Sequence, residues 1–180
     1  GTRDQELYYF DNVNAAAEMI KIRYCLIPYL YSEYLRAALN EEMMFKPLSF
    51  DLPDDDMAKQ VDDQLLLGNE LMIAPVYKQN AKGRYVYLPE EMMAVRMKSC
   101  KNIKTEILSK GHHYVDSELD ELVFFIRKDK AIPFGKPVKN TSEIDLSDIK
   151  LIGYEGCHYE MYSDDGFSPV LEDSLKKTIL

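Results

Sequence analysis

The sequence predicts an α+β chain in which a helical, partly α/β head joins an antiparallel β-sandwich body. Three observations carry that expectation. Residues 12 to 39 (NVNAAAEMIKIRYCLIPYLYSEYLRAAL) repeat apolar side chains at spacings of three and four, the period of an α-helix. From Leu65 onward the apolar runs are short and rich in β-branched and aromatic residues. Gly, Pro, Asn and Asp punctuate those runs, as tight turns between strands require. With 180 residues, 46% of them hydrophobic, and 8 Gly and 8 Pro, the chain has material for one domain or one and a half. That composition excludes disordered, collagen-like and low-complexity classes.

The long helix comes first. Ala16, Met19, Ile20, Arg23, Ile27, Leu30, Tyr31, Tyr34, Leu35 and Ala38 mark its periodic positions, and Asp11 or Asn12 is placed to cap its start. These residues would run about 42 Å, long for a chain of this size. Pro28 lies well inside, where loss of a backbone donor should kink the helix or split it in two. Apolar residues cover more than one stripe, and Tyr24, Tyr29, Tyr31 and Tyr34 add wide rings, so the helix should be covered on more than one side.

Residues 43 to 50 (MMFKPLSF) have strand character, with Pro47 better suited to a sheet edge, a bulge or a strand end than to mid-ladder. Residues 51 to 56 (DLPDDD) close that strand with turn chemistry, and Asp54 to Asp56 are read as caps of a short helix over 57 to 64 rather than as a metal or acid–base cluster. Seven strands follow, at 71–77, 84–88, 94–97, 103–108, 121–127, 149–152 and 158–162, the spacing of an antiparallel sandwich. Residues 78 to 83 form a polar loop between the first two, and Asp164-Asp-Gly166 a turn after the last.

Charge and motifs then narrow the function. With 22 basic against 31 acidic residues the formal charge is −9, so the chain has no basic face for nucleic acid or for an anionic membrane surface. Its longest apolar runs, such as 122–126, fall far short of the roughly 20 residues of a membrane-spanning helix. Cys25, Cys100 and Cys157 are odd in number, widely spaced and outside any CxxC motif, which points to free thiols in a reducing, cytoplasmic compartment rather than to a disulfide framework or zinc site. His112 and His113 are neighbours that would point to opposite sides of a strand and could not share a metal; a solvated turn is the expected setting. The Arg127-Lys-Asp-Lys130 run reads as a solvated face. No GxSxG, HExxH, GxxxxGK[ST] or GxGxxG motif is present, so residue patterns alone identify no catalytic set, metal site or cofactor.

Several segments, taken in order, resemble the C-terminal region of glycoside hydrolase family 31, the α-glucosidase and α-xylosidase family. Residues 1 to 6 (GTRDQE) resemble the loop after the family's active-site histidine. Residues 22 to 31 (IRYCLIPYLY) resemble its proline-containing helix, and 44 to 53 (MFKPLSFDLP) its "RPL" strand, with Lys46 where arginine is usual. Residues 62 to 76 (DDQLLLGNELMIAPV), 84 to 89 (RYVYLP), 125 to 133 (FIRKDKAIP) and 159 to 166 (YEMYSDDG) match later signatures. After Pro89 the sequence departs from the family, with residues 92 to 97 (MMAVRM) where a Trp-containing stretch is usual.

The resemblance implies an α+β fragment: the terminal segment of a TIM (β/α)8 barrel, residues 1–63, followed by an antiparallel β-sandwich, residues 64–180. On that basis the long helix packs against a barrel, 43–50 is a parallel barrel strand, and the first sixty residues leave an apolar face for the rest of the barrel or another chain. The implied activity is that of a retaining α-glycosidase on α-linked oligosaccharides, by paired aspartates that both lie upstream of the matched segments. No residue here therefore inherits a catalytic role. Thr2, Arg3 and Asp51 are the candidates to border the substrate cleft, and no cofactor is implied. The competing expectation is a stand-alone carbohydrate-binding or interaction module without catalysis.

Overall fold

The computed structural model describes residues 6–9, 11–168 and 173–180. After a 3-10 turn at Leu7–Tyr9, helix α1 runs unbroken over Val13–Asn40, and the Asn12 side chain accepts a hydrogen bond from the Ala15 amide at 3.3 Å. Pro28 sits inside α1 without dividing it. Glu41, in the left-handed conformation, ends the helix by donating its amide to the Ala37 carbonyl.

Strand β1 (Phe45–Pro47) and one turn of helix, α2 (Leu48–Asp51), follow, so Pro47 does close a strand. The helix expected over 57–64 reduces to a 3-10 turn at Ala58–Gln60, because Val61 turns to extended backbone. Asp55 caps that turn by accepting from the Met57 and Ala58 amides at 3.0 and 3.1 Å.

The β region holds β2 (Leu65–Leu67), β3 (Leu71–Ile73), β4 (Gly83–Leu88), β5 (Met92–Ser99), β6 (Asn102–Leu108), β7 (Gly111–Asp116), β8 (Leu122–Arg127), β9 (Ala131–Phe134), β10 (Lys150–Gly153), β11 (Glu160–Ser163) and β12 (Lys176–Ile179). Strands β2, β7, β9 and β12 are additional to the seven expected. His112 and His113 therefore lie on a strand, not in a turn: Gly111–Asp116 pairs with Gly83–Leu88 over six residues.

All pairing among the described residues is antiparallel. One six-stranded sheet has the order β1-β2-β3-β8-β5-β6, and three two-stranded sheets pair β4 with β7, β9 with β10, and β11 with β12. Strand β1 is thus no parallel barrel strand. It is the edge of the large sheet, with Phe45 opposite Leu67 and Pro47 opposite Leu65, and an edge accepts a residue that lacks an N–H. The expected boundary at residue 63 falls between β1 and its partner β2.

The central strands β3, β5 and β8 of the large sheet are buried on both faces. Leu71, Val95, Met97, Phe124 and Ile126 join Ile22, Cys25 and Tyr29 of α1 with Ile132, Phe134, Tyr159 and Met161 in one core. Met72, Met92, Ala94 and Phe125, pointing the other way, pack with Val86, Tyr87, Leu88 and Val115 of the β4–β7 pair in a second. Double coverage explains why β8 reads as continuous apolar sequence instead of an alternation. At roughly 1.5–3 kcal/mol per fully buried large apolar side chain, these two cores dominate the chain's stability.

The periodic positions of α1 divide between two faces: Leu35 is buried and Met19 and Leu30 pack against the core, while others face outward. Its buried residues are Ile22, Cys25, Pro28, Tyr29, Ser32, Glu33 and Leu35, whereas Ile20, Tyr31 and Tyr34, chosen from the apolar period, are exposed. At 100° per residue, Ile22 and Tyr29 lie on the side of α1 opposite Ile20, Tyr31 and Tyr34. The helix is apolar on two opposed faces, and the sheets cover one.

Candidate functional site

The most connected polar cluster lies where α1 meets the strands. Glu33 is only 2% exposed, and a buried carboxylate requires partners. The Tyr159 hydroxyl donates to its Oε1 at 2.6 Å and the Asn69 amide to its Oε2 at 3.2 Å. Arg36, one helical turn on, brings Nε to 3.4 Å from Glu33 Oε1 while its Nη2 donates to the Glu160 carbonyl at 2.7 Å. The Arg36 guanidinium also lies over the Tyr159 and Tyr162 rings, 5.4 and 5.2 Å from their centroids. Ser32 Oγ accepts from the Tyr162 amide at 2.8 Å, and the Tyr29 hydroxyl donates to the Leu67 carbonyl at 2.5 Å.

Gly68 makes this arrangement possible. Its φ of +66° belongs to the left-handed region, and a Cβ there would meet the Glu33 carboxylate and stand 2.6 Å from the Tyr29 hydroxyl. Beside it, Glu70 is buried with Oε2 lacking a hydrogen-bond partner among the described residues. Loss of hydration, reinforced by the Glu33 carboxylate, pushes its acid up to about 7, against the opposing pull of Arg36 and Lys130. Lys130 Nζ approaches Glu70 to 4.0 Å.

A second cluster surrounds Asp51 at the end of α2. Lys46 Nζ reaches its two oxygens at 2.9 and 3.1 Å and also contacts Asn69 Oδ1 at 3.0 Å. Arg127 Nη1 lies 3.1 Å from Asp51 Oδ2, and its Nε donates to Glu90 Oε1 at 2.7 Å. Arg127 is thus an ion-pair hub tying α2 to β8, not part of a solvated run. Thr2 and Arg3, the other candidate cleft residues, lie outside the described residues.

His112 packs its ring 5.1 Å from that of Tyr87, and His113 Nε2 lies 2.8 Å from the Ser109 carbonyl oxygen. Asp55 receives the Tyr87 hydroxyl at 2.7 Å and Lys110 at 2.8 Å; those two donors, Lys110 foremost, hold its carboxyl well below the usual range. Among the described residues no group of three or more His, Cys, Asp or Glu is arranged to hold a metal, and no helix is long and apolar enough to cross a membrane. Ser32, Glu33, Arg36 and Glu70 escaped sequence reasoning, which followed the apolar stripe of α1 instead. The available signal was the Glu33-to-Arg36 spacing, three residues apart on one helix face.

What the clusters do is structural: they clamp a helix and an edge strand to a sheet and leave the outer face of α1 open. Known proteins resemble this chain in sequence and in fold. Alpha-glucosidase 2 of Bacillus thermoamyloliquefaciens is 27% identical over 173 residues, which is 92% of this chain and 21% of that protein. The alpha-xylosidase of Saccharolobus solfataricus is 28% identical over 154 residues, 83% of this chain and 20% of that protein. In a solved structure, a Flavobacterium johnsoniae GH31 dextranase complexed with glucose superposes over 99% of this chain and 22% of its own, with a TM-score of 0.83 and 26% identity. The chain therefore spans about a fifth of the length of the relatives it matches. The family model described as the glycosyl hydrolase family 31 C-terminal domain matches residues 41–132, just over half of the chain, and the chain belongs to that family.

Proposed function

We propose that the chain is the C-terminal portion of a retaining α-glycosidase that hydrolyses α-glycosidic bonds in oligosaccharides. The family match supplies the chemistry: relatives carrying this segment are named alpha-glucosidase and alpha-xylosidase. The structural observation that supports the role is α1, whose second apolar face, with Ile20 42% and Tyr34 57% exposed, has no cover among the described residues. In the intact enzyme that face packs against the (β/α)8 barrel, so the barrel's share of residues 1–63 is chiefly this helix, and the sheets from residue 64 onward buttress it from behind.

Under this reading the nucleophile and the acid/base aspartates lie upstream, about 5 Å apart as a covalent glycosyl-enzyme requires. This chain contributes support: the Glu33–Tyr159–Arg36 cluster fixes the helix, and the Asp51–Arg127 cluster fixes the segment that follows. Thr2, Arg3 and Asp51 form the rim of the substrate cleft. A cytoplasmic home rests on the three cysteines being free thiols.

Expression of the full reading frame tests the proposal. It should hydrolyse a nitrophenyl α-glucoside or α-xyloside with retention of anomeric configuration, while residues 1–180 alone should not. Hydrolysis by the isolated chain, or inversion by the whole, would overturn it.

A further inference from the structure

Cys25 and Cys100 are 75 residues apart in sequence, yet their sulfur atoms lie 2.8 Å apart. Cys25 is on the buried face of α1, inside the core that the helix shares with β5, β9 and β11. Cys100 occupies the turn between β5 and β6, beside the register shift that follows Met97, and is half-buried. Cys157 is half-buried and has no sulfur partner among the described residues. We infer that Cys25 and Cys100 form a dithiol modification site that closes to an intramolecular disulfide when it meets a small-molecule disulfide, such as glutathione disulfide, and so bolts α1 to the β5–β6 hairpin.

The positions set the order of steps. Cys100, half-buried where Cys25 is fully buried, is the more accessible of the two. Its thiolate attacks glutathione disulfide, one Cys100–S bond forms, and one glutathione thiolate leaves. Cys25 then loses its proton to a solvent base and attacks Cys100 Sγ, already in contact, expelling the second glutathione. Two protein thiols are oxidised to one disulfide, and one glutathione disulfide is reduced to two thiols. Burial, together with the Cys100 thiol, pushes the Cys25 thiol up, which makes it slow to ionise but a strong nucleophile once ionised.

The test is oxidation of the purified 180-residue chain with glutathione disulfide, read by thiol titration after denaturation, intact mass and peptide mapping. Of the three thiols, one should remain. The mass should fall by about 2 Da, a Cys25–Cys100 linked peptide should appear, and the melting temperature should rise by roughly 5–10 °C. Cys157→Ser should oxidise as the parent does. Cys25→Ser should stop at a stable glutathione adduct on Cys100, and that variant keeps the outcome interpretable because Cys100, unlike Cys25, lies on a turn and only half-buried. Retention of all three thiols, a glutathione adduct on Cys100 of the parent chain that never resolves, or a linkage through Cys157 would each overturn the inference.

Discussion

Tyr159 and Glu33 are 126 residues apart in sequence and joined by a 2.6 Å hydrogen bond inside the protein, between the loop entering β11 and the penultimate turn of α1. Both are buried, so neither has water to replace the other. Tyr159→Phe keeps the ring beneath Arg36 and removes only the donor. It should cost about 1.5–3 kcal/mol in urea unfolding, with the slope of the transition unchanged. A loss below about 0.5 kcal/mol would show that the bond does not hold the helix in place.

Gly68 and Gly156 separate conformation from space. Both have positive φ, +66° and +76°, but only at Gly68 would an added Cβ strike other atoms. Gly156→Ala should cost about 1 kcal/mol, the strain of a left-handed alanine. Gly68→Ala must in addition displace Glu33 and Tyr29, and should cost more than about 3 kcal/mol. Equal melting temperatures for the two variants would contradict the packing around Glu33.

Glu70 gives the fold an acid-favouring component. Its folded value is raised from 4.5 to about 7, chiefly by lost hydration and next by the Glu33 carboxylate. The native state therefore holds a proton that the unfolded chain has released. The stabilisation is complete below pH 4.5 and is lost as pH rises through about 7, a decline on the order of 3 kcal/mol. Asp55, shifted downward, acts in the opposite sense but below its ordinary 3.8, outside that window. Glu70→Gln should flatten the profile between pH 4.5 and 8, as measured by urea midpoints in a series of buffers.

The outward face of α1 should be dispensable to this chain. Ile20→Lys and Tyr34→Lys replace exposed side chains with good helix formers, so each should change stability by less than about 0.5 kcal/mol. Together they should reduce self-association in light scattering, since they break the apolar patch. Unfolding of the double variant would mean that the face is covered from within the chain.

Taken by itself, the sequence determined what is local. The 3.6-residue period and Asn12 define α1 to within a residue of its ends; Asp55 caps the segment it was expected to cap, a 3-10 turn in place of the helix expected over 57–64; Pro47 ends a strand; and ordered motifs such as residues 22–31 and 62–76 pointed to the family. Only the tertiary structure decided which of two apolar helix faces meets the sheets, that β1 pairs antiparallel with β2, and that Cys25 touches Cys100 and Glu33 touches Tyr159. The reason is physical. Periodicity and capping act within a few residues, so residue types and spacings record them, whereas a helix with two apolar faces satisfies the same pattern whichever face is buried. The choice between them rests on partners more than a hundred residues away, Tyr159 and Tyr162 among them, whose polar groups Ser32 and Glu33 must meet once water is gone.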